Sequence, residues 1–258
     1  MSNHAVGPDT LTTDESSWWE EERLKFLVPH LAEAAGAGPT LDVGCGRGTA
    51  AVMLAADKHV FVVAVDGYQY PGWKLSERVS FVVGHGDQLP FRDSTFASAS
   101  ALDVIEHVDD DASMIAEISR VIAPDGSVVI TVPAFRQLWS EHDVGVGHRR
   151  RYSKASIGVL VARHGLTVSK STYFFSYLAF PAWLMRRHRR AVSGGGAAGR
   201  RVFRALGLLE RRWLRRRDLP VGTSLFVSLR RTPAPGVRRS EALRGQSQDE
   251  MPVARSGE

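Results

Sequence analysis

The stretch that decides the fold is Leu41-Asp42-Val43-Gly44-Cys45-Gly46-Arg47-Gly48, residues 41–48. A short apolar strand leads directly into three glycines at alternate positions, and a helix-forming segment follows from Thr49. Glycines at this point allow a sharp turn from strand to helix and a close approach of the backbone to a ligand. The turn by itself also fits a plain tight turn with no ligand.

Further apolar runs follow the glycine turn at regular intervals, and helical or turn-rich segments separate them. The runs are HVFVVAVD (59–66), VSFVVG (79–84), FASASALD (96–103) and GSVVITVP (126–133). Helices are predicted at about 49–56 and 109–122, with Pro124-Asp125-Gly126 as a stop and turn. Near-continuous apolar strands that alternate with helices are typical of a parallel sheet covered on both faces. The sequence therefore predicts a doubly wound, Rossmann-like α/β fold.

Two acidic residues follow the second and third apolar runs. Asp66 ends a strand about twenty residues after the glycine turn, where a carboxylate can accept hydrogen bonds from both ribose hydroxyls of an adenosine. Asp87 lies in GDQLPF (86–91), from which a carboxylate or a neighbouring amide can reach an adenine amino group. Either acid alone could be an ordinary exposed residue at a strand end. The two together are stronger evidence for an adenosine-binding site than either one.

Taken in order, these segments resemble the class I S-adenosylmethionine-dependent methyltransferases, in particular the type found in ubiquinone and menaquinone biosynthesis. The resemblance extends over residues 38–133. The matching motifs are LDVGCGRG, VVAVD, GDQLPF, ALDVIEHV (101–108) and ISRVIAPDGSVVITVP (118–133). The glycine spacing differs from the G-x-G-x-x-G of nicotinamide-dependent dehydrogenases.

The resemblance implies a seven-stranded, mostly parallel sheet and S-adenosylmethionine as the cofactor. It also implies that Asp42 helps to orient the amino group of the cofactor and that Asp66 binds the ribose. The residues expected to contact the cofactor are Asp42, Gly44, Cys45, Gly46, Gly48, Asp66, Gly67, Asp87, Gln88, Leu89 and Asp103.

Asp103, Glu106 and His107 follow the fourth apolar run, at the sheet edge where such folds place their chemistry. This Asp-x-x-Glu-His segment resembles a Glu-x-x-Glu-His site that binds a divalent metal in some quinone and small-RNA methyltransferases, with Asp in place of the first Glu. A cation bound there could lower the pKa of an acceptor hydroxyl. The alternative, which we favour, is an orienting or capping role for Glu106 and His107 without metal; His107 is also a candidate catalytic base.

A second polar cluster follows the fifth apolar run and includes Gly147-His148-Arg149-Arg150-Arg151-Tyr152. As a site, it would offer His142 or His148 as a general base, with Tyr152 as a further catalytic candidate. Its three arginines, Arg149, Arg150 and Arg151, would bind an anionic substrate. The segment resembles one found in bacterial methyltransferases of lipid and polysaccharide pathways. It could equally be a solvated basic loop that leads into the next helix.

The segment at about 173–217 differs from the rest of the chain. Its apolar run at 173–185 is shorter than the roughly 20 residues that a membrane-spanning helix needs. The stretch 186–217 carries twelve arginines against one glutamate, a net charge of +11. An anionic membrane surface is one partner that this combination predicts. A hydrophobic lid over the pocket is the alternative, and nucleic acid ranks below both because no RNA-binding motif is recognisable.

The composition and net charge of the whole chain predict its location and its domain limits. Because the whole chain has a net charge of only +5, the positive charge is concentrated in that one segment. The acidic N-terminus lacks the features of a signal peptide and Cys45 is the single cysteine, so we expect a cytoplasmic protein, in peripheral contact with the inner face of the membrane if the segment binds there. We expect a flexible N-terminus at 1–14, one methyltransferase domain at 15–231 and a disordered tail at 232–258.

These features predict one function and leave two alternative functions open. The expected function is methyl transfer to oxygen, less readily to nitrogen or carbon, of a small hydrophobic or lipid-linked acceptor. A soluble anionic acceptor is the second hypothesis. A cofactor-binding membrane adapter without catalytic activity is the third, and no obligate protein partner is expected.

Overall fold

The apolar runs of the sequence form the strands of one sheet in the computed structural model, which describes residues 16–36, 38–70, 77–179 and 197–232. Within these residues the sheet has seven strands. They are β1 (Thr40–Val43), β2 (Val62–Asp66), β3 (Val79–Val83), β4 (Phe96–Leu102), β5 (Ile122–Pro133), β6 (Leu166–Phe174) and β7 (Ser224–Arg231). The predicted N-terminus at 1–14 and the tail from 233 onwards lie outside the described residues.

The helices connect or flank these strands. They are α1 (Ser16–Ala34), α2 (Thr49–Lys58), α3 (Asp111–Val121), α4 (Glu141–Gly145), α5 (Lys154–Ala162) and α6 (Ala197–Leu214), with one 3₁₀ turn at Arg136–Leu138. Helix α1 continues through Pro29 as one helix. None of the described helices is long and apolar enough to cross a membrane.

The strand order is β3-β2-β1-β4-β5-β7-β6. Strands β1 to β5 pair in parallel, whereas β7 is antiparallel to both of its neighbours. The direction of winding reverses between β1 and β4, and ligands in such sheets bind outside the carboxyl ends of the strands at this switch point. The predicted mostly parallel, Rossmann-like sheet is confirmed.

Two hydrophobic clusters cover the two faces of the sheet. One cluster contains Met114, Ile115 and Ile118 of α3 together with Ile157 and Val161 of α5. The other contains residues of α1 and α2, and Leu214 of α6 joins it. Because successive strand residues point to opposite faces, a strand buried by helices on both sides must be apolar at nearly every position. This explains why the strands read as continuous apolar runs.

Two predicted boundaries need correction. Pro124-Asp125-Gly126 does not separate α3 from the next strand, because β5 begins at Ile122; the three residues instead form an irregularity where pairing with β4 jumps from Ile122 to Ser127. The predicted insertion does not begin at 173, since Tyr173 and Phe174 belong to β6 and pair with β7. Residues 180–196 of the insertion lie outside the described residues.

Helix α6 is attached to the domain by one buried acidic residue. Glu210 is 8% exposed, and its carboxylate accepts hydrogen bonds from the backbone N–H groups of Phe175 (2.8 Å) and Ser176 (2.7 Å). The Ser176 hydroxyl donates a third, at 2.6 Å. These charge-assisted bonds fix one face of α6 against the end of β6.

Candidate functional site

The glycine turn lies at the switch point of the sheet. Its glycines lack side chains, so backbone atoms line this position. Gly44, Gly46 and Gly48 all have positive φ, which suits glycine and strains other residues. A Cβ atom on Gly48 would lie 2.4 Å from the ring of Phe81, and one on Gly44 would lie 2.5 Å from Val104. A Cβ on Gly46 would meet no atom of the described residues within 4 Å. Gly44 and Gly48 are therefore required by packing, whereas the described residues leave room for a Cβ at Gly46.

Asp66 connects the end of β2 to this turn. Its carboxylate accepts a hydrogen bond from the Gly46 backbone N–H at 2.8 Å and another from the Tyr68 N–H at 3.1 Å. The side chain stays partly exposed, so lone pairs remain for a ligand. The predicted ribose acceptor and the predicted ligand turn thus lie side by side, and Gly67 follows Asp66 immediately.

Asp42 is a buried carboxylic acid beneath the turn. It is 3% exposed, and the Ser100 hydroxyl donates to its Oδ1 atom at 2.7 Å. Burial raises the pKa of Asp42 to about 6, although the hydrogen bond from Ser100 opposes the shift. Asp42 is therefore held in place, and at neutral pH it is mostly ionised and able to pair with a cation or an amino group.

The predicted adenine-side residues separate into two groups. Asp87 and Gln88 are exposed on the loop after β3 and remain available to a ligand. Leu89 is 4% exposed within the core, and its backbone N–H donates to Glu117 at 2.8 Å. Cys45 is partly buried in the glycine turn, where burial raises the pKa of its thiol. The structure therefore favours Asp87 and Gln88, and does not favour Leu89, as contacts of a bound adenine.

Asp103 forms an ion pair with Arg23 of α1 and accepts a hydrogen bond from the Thr131 hydroxyl at 3.1 Å. Its φ of 55° places the residue in the left-handed region just after β4. The Asp103 carboxylate is therefore engaged by the protein itself, although it lies at the same sheet edge as the glycine turn.

Glu106 is the most unusual group of the site. It is fully buried, and neither of its carboxylate oxygens has a hydrogen-bond partner among the described residues. Burial, together with the negative charge of Asp103, holds the pKa of Glu106 well above its usual range. An unsatisfied buried acid is costly unless it is neutral or meets a ligand, so Glu106 is a candidate functional residue.

His148 lies next to Glu106 and is oriented by Asp143. The Nδ1 atom of His148 lies 2.8 Å from Oδ1 of Asp143, and its Nε2 atom lies 3.8 Å from Oε1 of Glu106. Asp143 is fully buried; burial alone would raise its pKa, but hydrogen bonds from His148 and Arg151 outweigh this and hold the pKa well below its usual range. A permanently charged carboxylate on Nδ1 leaves Nε2 to accept a proton or bind a metal.

The three predicted substrate arginines instead bind the protein. Arg149 and Arg150 donate to backbone carbonyls of His107 and Val108, at 2.8 and 2.9 Å, and Arg151 donates to Asp143 at 2.7 Å. Their bonds hold residues 147–152 against the loop that follows β4. This arrangement does not support the prediction that they bind an anionic substrate.

Two other catalytic candidates lie away from this arrangement. Tyr152 is 5% exposed, and its hydroxyl donates to Asp111 at 2.7 Å; burial raises the pKa of its phenol. The structure therefore assigns Tyr152 to the core and removes it from the catalytic candidates. His142 is exposed on α4. His107, in contrast, lies with its ring 4.9 Å from that of His148.

The structure changes the set of residues that could form the predicted metal site. Among the described residues one group could hold a metal ion: the ligand atoms of Glu106, His107 and His148 lie within 4.8 Å of one another. Asp103, which the sequence placed in the set, is paired with Arg23 instead. Two imidazoles and one carboxylate suit a transition metal better than the hard cation expected from a carboxylate-rich set.

Three residues with clear structural roles were missed as site residues. Arg23 comes from a helix 80 residues distant from Asp103, and Asp143 and Ser100 each support a predicted residue. Only the five-residue separation of Asp143 from His148 was a usable signal, because an acid near a histidine in one loop is a common orienting pair.

Comparison with known proteins agrees with this geometry. Residues 41–130 match a family model described as a methyltransferase domain. The O-methyltransferase rstn1 of Aspergillus nomiae is 32% identical over 118 residues, which make up 42% of this chain and 52% of that protein. The demethylmenaquinone methyltransferase of Renibacterium salmoninarum is 30% identical over 141 residues, 51% of this chain and 59% of that protein. The chain thus spans about half the length of the curated relatives it matches.

A solved structure supports the fold over a longer range. The geranyl diphosphate C-methyltransferase from Streptomyces coelicolor, solved with S-adenosyl-L-homocysteine, superposes with a TM-score of 0.56 at 17% identity. The match covers 83% of this chain and 78% of that one. Residues 41–130 thus match a methyltransferase domain, and they lie in a sheet whose fold is similar to that of a solved S-adenosylmethionine-dependent methyltransferase.

Proposed function

We propose that the protein transfers a methyl group from S-adenosylmethionine to an oxygen atom of a small hydrophobic or lipid-linked acceptor. The observation that carries this proposal is the pair formed by Asp143 and His148 at the carboxyl edge of the sheet, 2.8 Å apart. A hydroxyl acceptor holds its proton tightly and needs a base, whereas many nitrogen acceptors do not. Relatives named as N- and 24-C-methyltransferases make nitrogen and carbon the alternatives.

The cofactor would lie across the glycine turn. The free space beside Gly46 would admit the methionine part, Asp66 would accept hydrogen bonds from the ribose hydroxyls, and Asp87 or Gln88 would reach the adenine. Asp42, with its pKa of about 6, would become fully charged when the amino group of the cofactor approaches. In this arrangement Arg23 and Thr131 hold Asp103 at the boundary between cofactor and acceptor.

The proposed step is an in-line displacement. His148 Nε2 accepts the proton of the acceptor hydroxyl, the oxygen forms a bond to the methyl carbon, and the bond from that carbon to sulfur breaks. The products are the methyl ether, S-adenosylhomocysteine and a protonated His148, whose charge Asp143 stabilises. Burial raises the pKa of Glu106 and favours its neutral form, and in that form it would donate a hydrogen bond to the acceptor rather than repel its developing negative charge.

The acceptor class is inferred from the surface of the protein. Helix α6 exposes large apolar side chains and arginines, so a protein docked through it would meet acceptors that reside in a membrane. We accordingly propose a cytoplasmic protein in peripheral contact with the inner face of the membrane. Under the alternative of a soluble anionic acceptor, α6 would have no part in substrate access.

Release of S-adenosylhomocysteine in the presence of a cell-lipid extract tests the proposal. Wild-type protein should release it, and His148→Asn should reduce the rate by about 10²-fold or more while cofactor affinity is unchanged. His164→Gln, which alters a histidine at the end of α5, is the matched control and should leave the rate unchanged. Cofactor binding without any release, with lipid extracts and with soluble anionic metabolites, would favour the non-catalytic adapter.

A divalent cation held by Glu106, His107 and His148 is the second candidate, favoured by their proximity and by the unsatisfied Glu106. When bound, it would act as a Lewis acid toward the acceptor oxygen. Calorimetric titration of chelator-treated protein with Zn²⁺ or Mn²⁺ should show binding that Glu106→Gln weakens at least tenfold. Absence of binding, together with turnover that resists chelator, would leave His148 as the base.

A further inference from the structure

Helix α6 has two faces that carry apolar side chains, and among the described residues one of them packs against the rest of the domain. The inner face contains Phe203, Gly207, Glu210 and Leu214, of which the last three are buried. The second face contains Val202, Leu206, Leu209 and Trp213, which follow the same helical spacing one residue earlier. At about 100° per residue, the centres of the two faces differ by about 100° around the helix axis. We call the second set the outer stripe.

The outer stripe is exposed along its whole length. Val202 is 60% exposed, Leu206 38%, Leu209 66% and Trp213 52%. Single apolar residues on a surface need no explanation, but a contiguous stripe over three turns of one helix marks a binding surface. The inner face already supplies contacts that hold α6 on the domain, so the exposed stripe is not needed for that packing.

The charges beside the outer stripe are positive. Arg201 and Arg212 are exposed, and by helical spacing they lie along the border of the stripe that faces away from the domain; Arg216, in the turn after α6, is also exposed. Glu210, the single acid of α6, points inward to Phe175 and Ser176 and contributes no outward negative charge. The guanidinium of Arg217 lies over the ring of Trp213, with its carbon 5.7 Å from the ring centroid.

We propose that α6 is an interfacial helix that docks the protein on an anionic lipid bilayer, with the outer stripe inserted among the acyl chains. Aliphatic residues with a tryptophan at one end, bordered by arginines, match the cross-section of such a surface, apolar inside and anionic at the headgroups. A nucleic acid would bind the arginines through its phosphates. It would gain little from Val202, Leu206 and Leu209, because bases stack on aromatic rings and these side chains are aliphatic.

The attachment of α6 fixes the orientation of the domain on the membrane. The inner face is tied to β6 through Glu210, and Leu214 packs in the same cluster as α1. The helix axis would therefore lie in the plane of the interface. Docking needs neither cofactor nor turnover, so it is tested separately from the proposed methyl transfer and can fail or succeed independently of it.

Co-sedimentation of the full-length protein with vesicles tests the proposal. Wild type should pellet with vesicles of 30% phosphatidylglycerol in phosphatidylcholine at low salt, and bind pure phosphatidylcholine at least tenfold more weakly. Leu206→Ser/Leu209→Ser should weaken the anionic binding about tenfold or more, as should Arg212→Gln/Arg216→Gln. The matched control is Val159→Ser/Val168→Ser, which alters exposed valines of α5 and β6 and should bind as wild type does.

Tryptophan fluorescence reports insertion directly. Anionic vesicles should shift the emission of wild type to shorter wavelength, whereas Trp213→Phe should keep its binding and lose most of the shift. Unchanged vesicle binding by the double serine variant would overturn insertion of the outer stripe. Failure of wild type to pellet at low salt, combined with tight binding of a 20-nucleotide RNA, would identify α6 as a nucleic-acid surface instead.

Discussion

At the scale of single residues, Gly46 and Gly48 have the same backbone handedness but different surroundings. Gly48→Ala should lower stability by about 1 to 3 kcal/mol, because its new Cβ would lie 2.4 Å from Phe81 in the core. Gly46→Ala should cost only about 1 kcal/mol of backbone strain, yet it should weaken cofactor binding at least tenfold because its methyl group enters the ligand space. Thermal unfolding and calorimetry with S-adenosylmethionine separate the two effects. Equal losses of affinity would contradict the assigned roles.

The buried Asp42 makes stability depend on pH. Its pKa is about 6 in the folded protein and about 4 in the unfolded chain, so stability should fall as pH rises from about 4 to about 6 and then stay constant. Asp42→Asn removes the charge and should stabilise the protein by roughly 1 to 3 kcal/mol at pH 7.5 but hardly at pH 4. Unfolding at both pH values measures this, with exposed Asp57→Asn as the control. A gain of equal size at pH 4 would point to packing instead of charge.

The residues that sequence reasoning identified are those whose chemistry is visible in their type. Glu106 was named from the Asp-x-x-Glu-His segment after β4, and His148 was named because a histidine in the loop after β5 can act as a general base. Asp143 and Arg23 were not named, because their roles depend on burial and on contacts across the fold. The same contacts removed Tyr152 from the catalytic candidates, since spacing along the chain does not show which side of a loop faces the core.

At the scale of elements, the attachment of α6 depends on Glu210. Glu210→Gln keeps the shape but weakens three hydrogen bonds that a carboxylate accepts, and should lower stability by about 1 to 3 kcal/mol. Hydrogen exchange should show the loss locally, as faster exchange at Phe175, Ser176 and α6. Glu141→Gln, at an exposed position of α4, should change neither measurement. Uniform acceleration over the whole sheet would mean that α6 is not a separate unit.

Most element positions were predictable because the apolar runs have the lengths of strands. The start of α2 at Thr49 and the strands β1 to β4 follow the pattern closely. The boundary at 173 was wrong because a run of aromatic and aliphatic residues such as YFFSYLAF has the periodicity of neither a strand nor a helix. In the fold, the pairing of Tyr173 with Leu225 of β7 decides that this residue is a strand residue.

At the scale of the whole molecule, the charge separates into two regions. Since residues 186–217 carry +11 and the chain totals +5, the remainder must carry about 5 − 11 = −6. An anionic surface would therefore attract the protein from a distance and turn the α6 side toward it before contact. The sequence showed this asymmetry directly, whereas it did not show that Glu210 faces inward.

The position of β7 has a consequence for biosynthesis. This strand is the last of the sheet to be translated, yet it lies between β5 and β6. When β6 leaves the ribosome it has no neighbour to pair with, and the outer edge of β5 is also open. Unpaired strand edges are templates for association with other chains, and folds with such distant pairings complete slowly. We therefore expect the nascent chain to be most open to association with other chains between translation of residues 174 and 224.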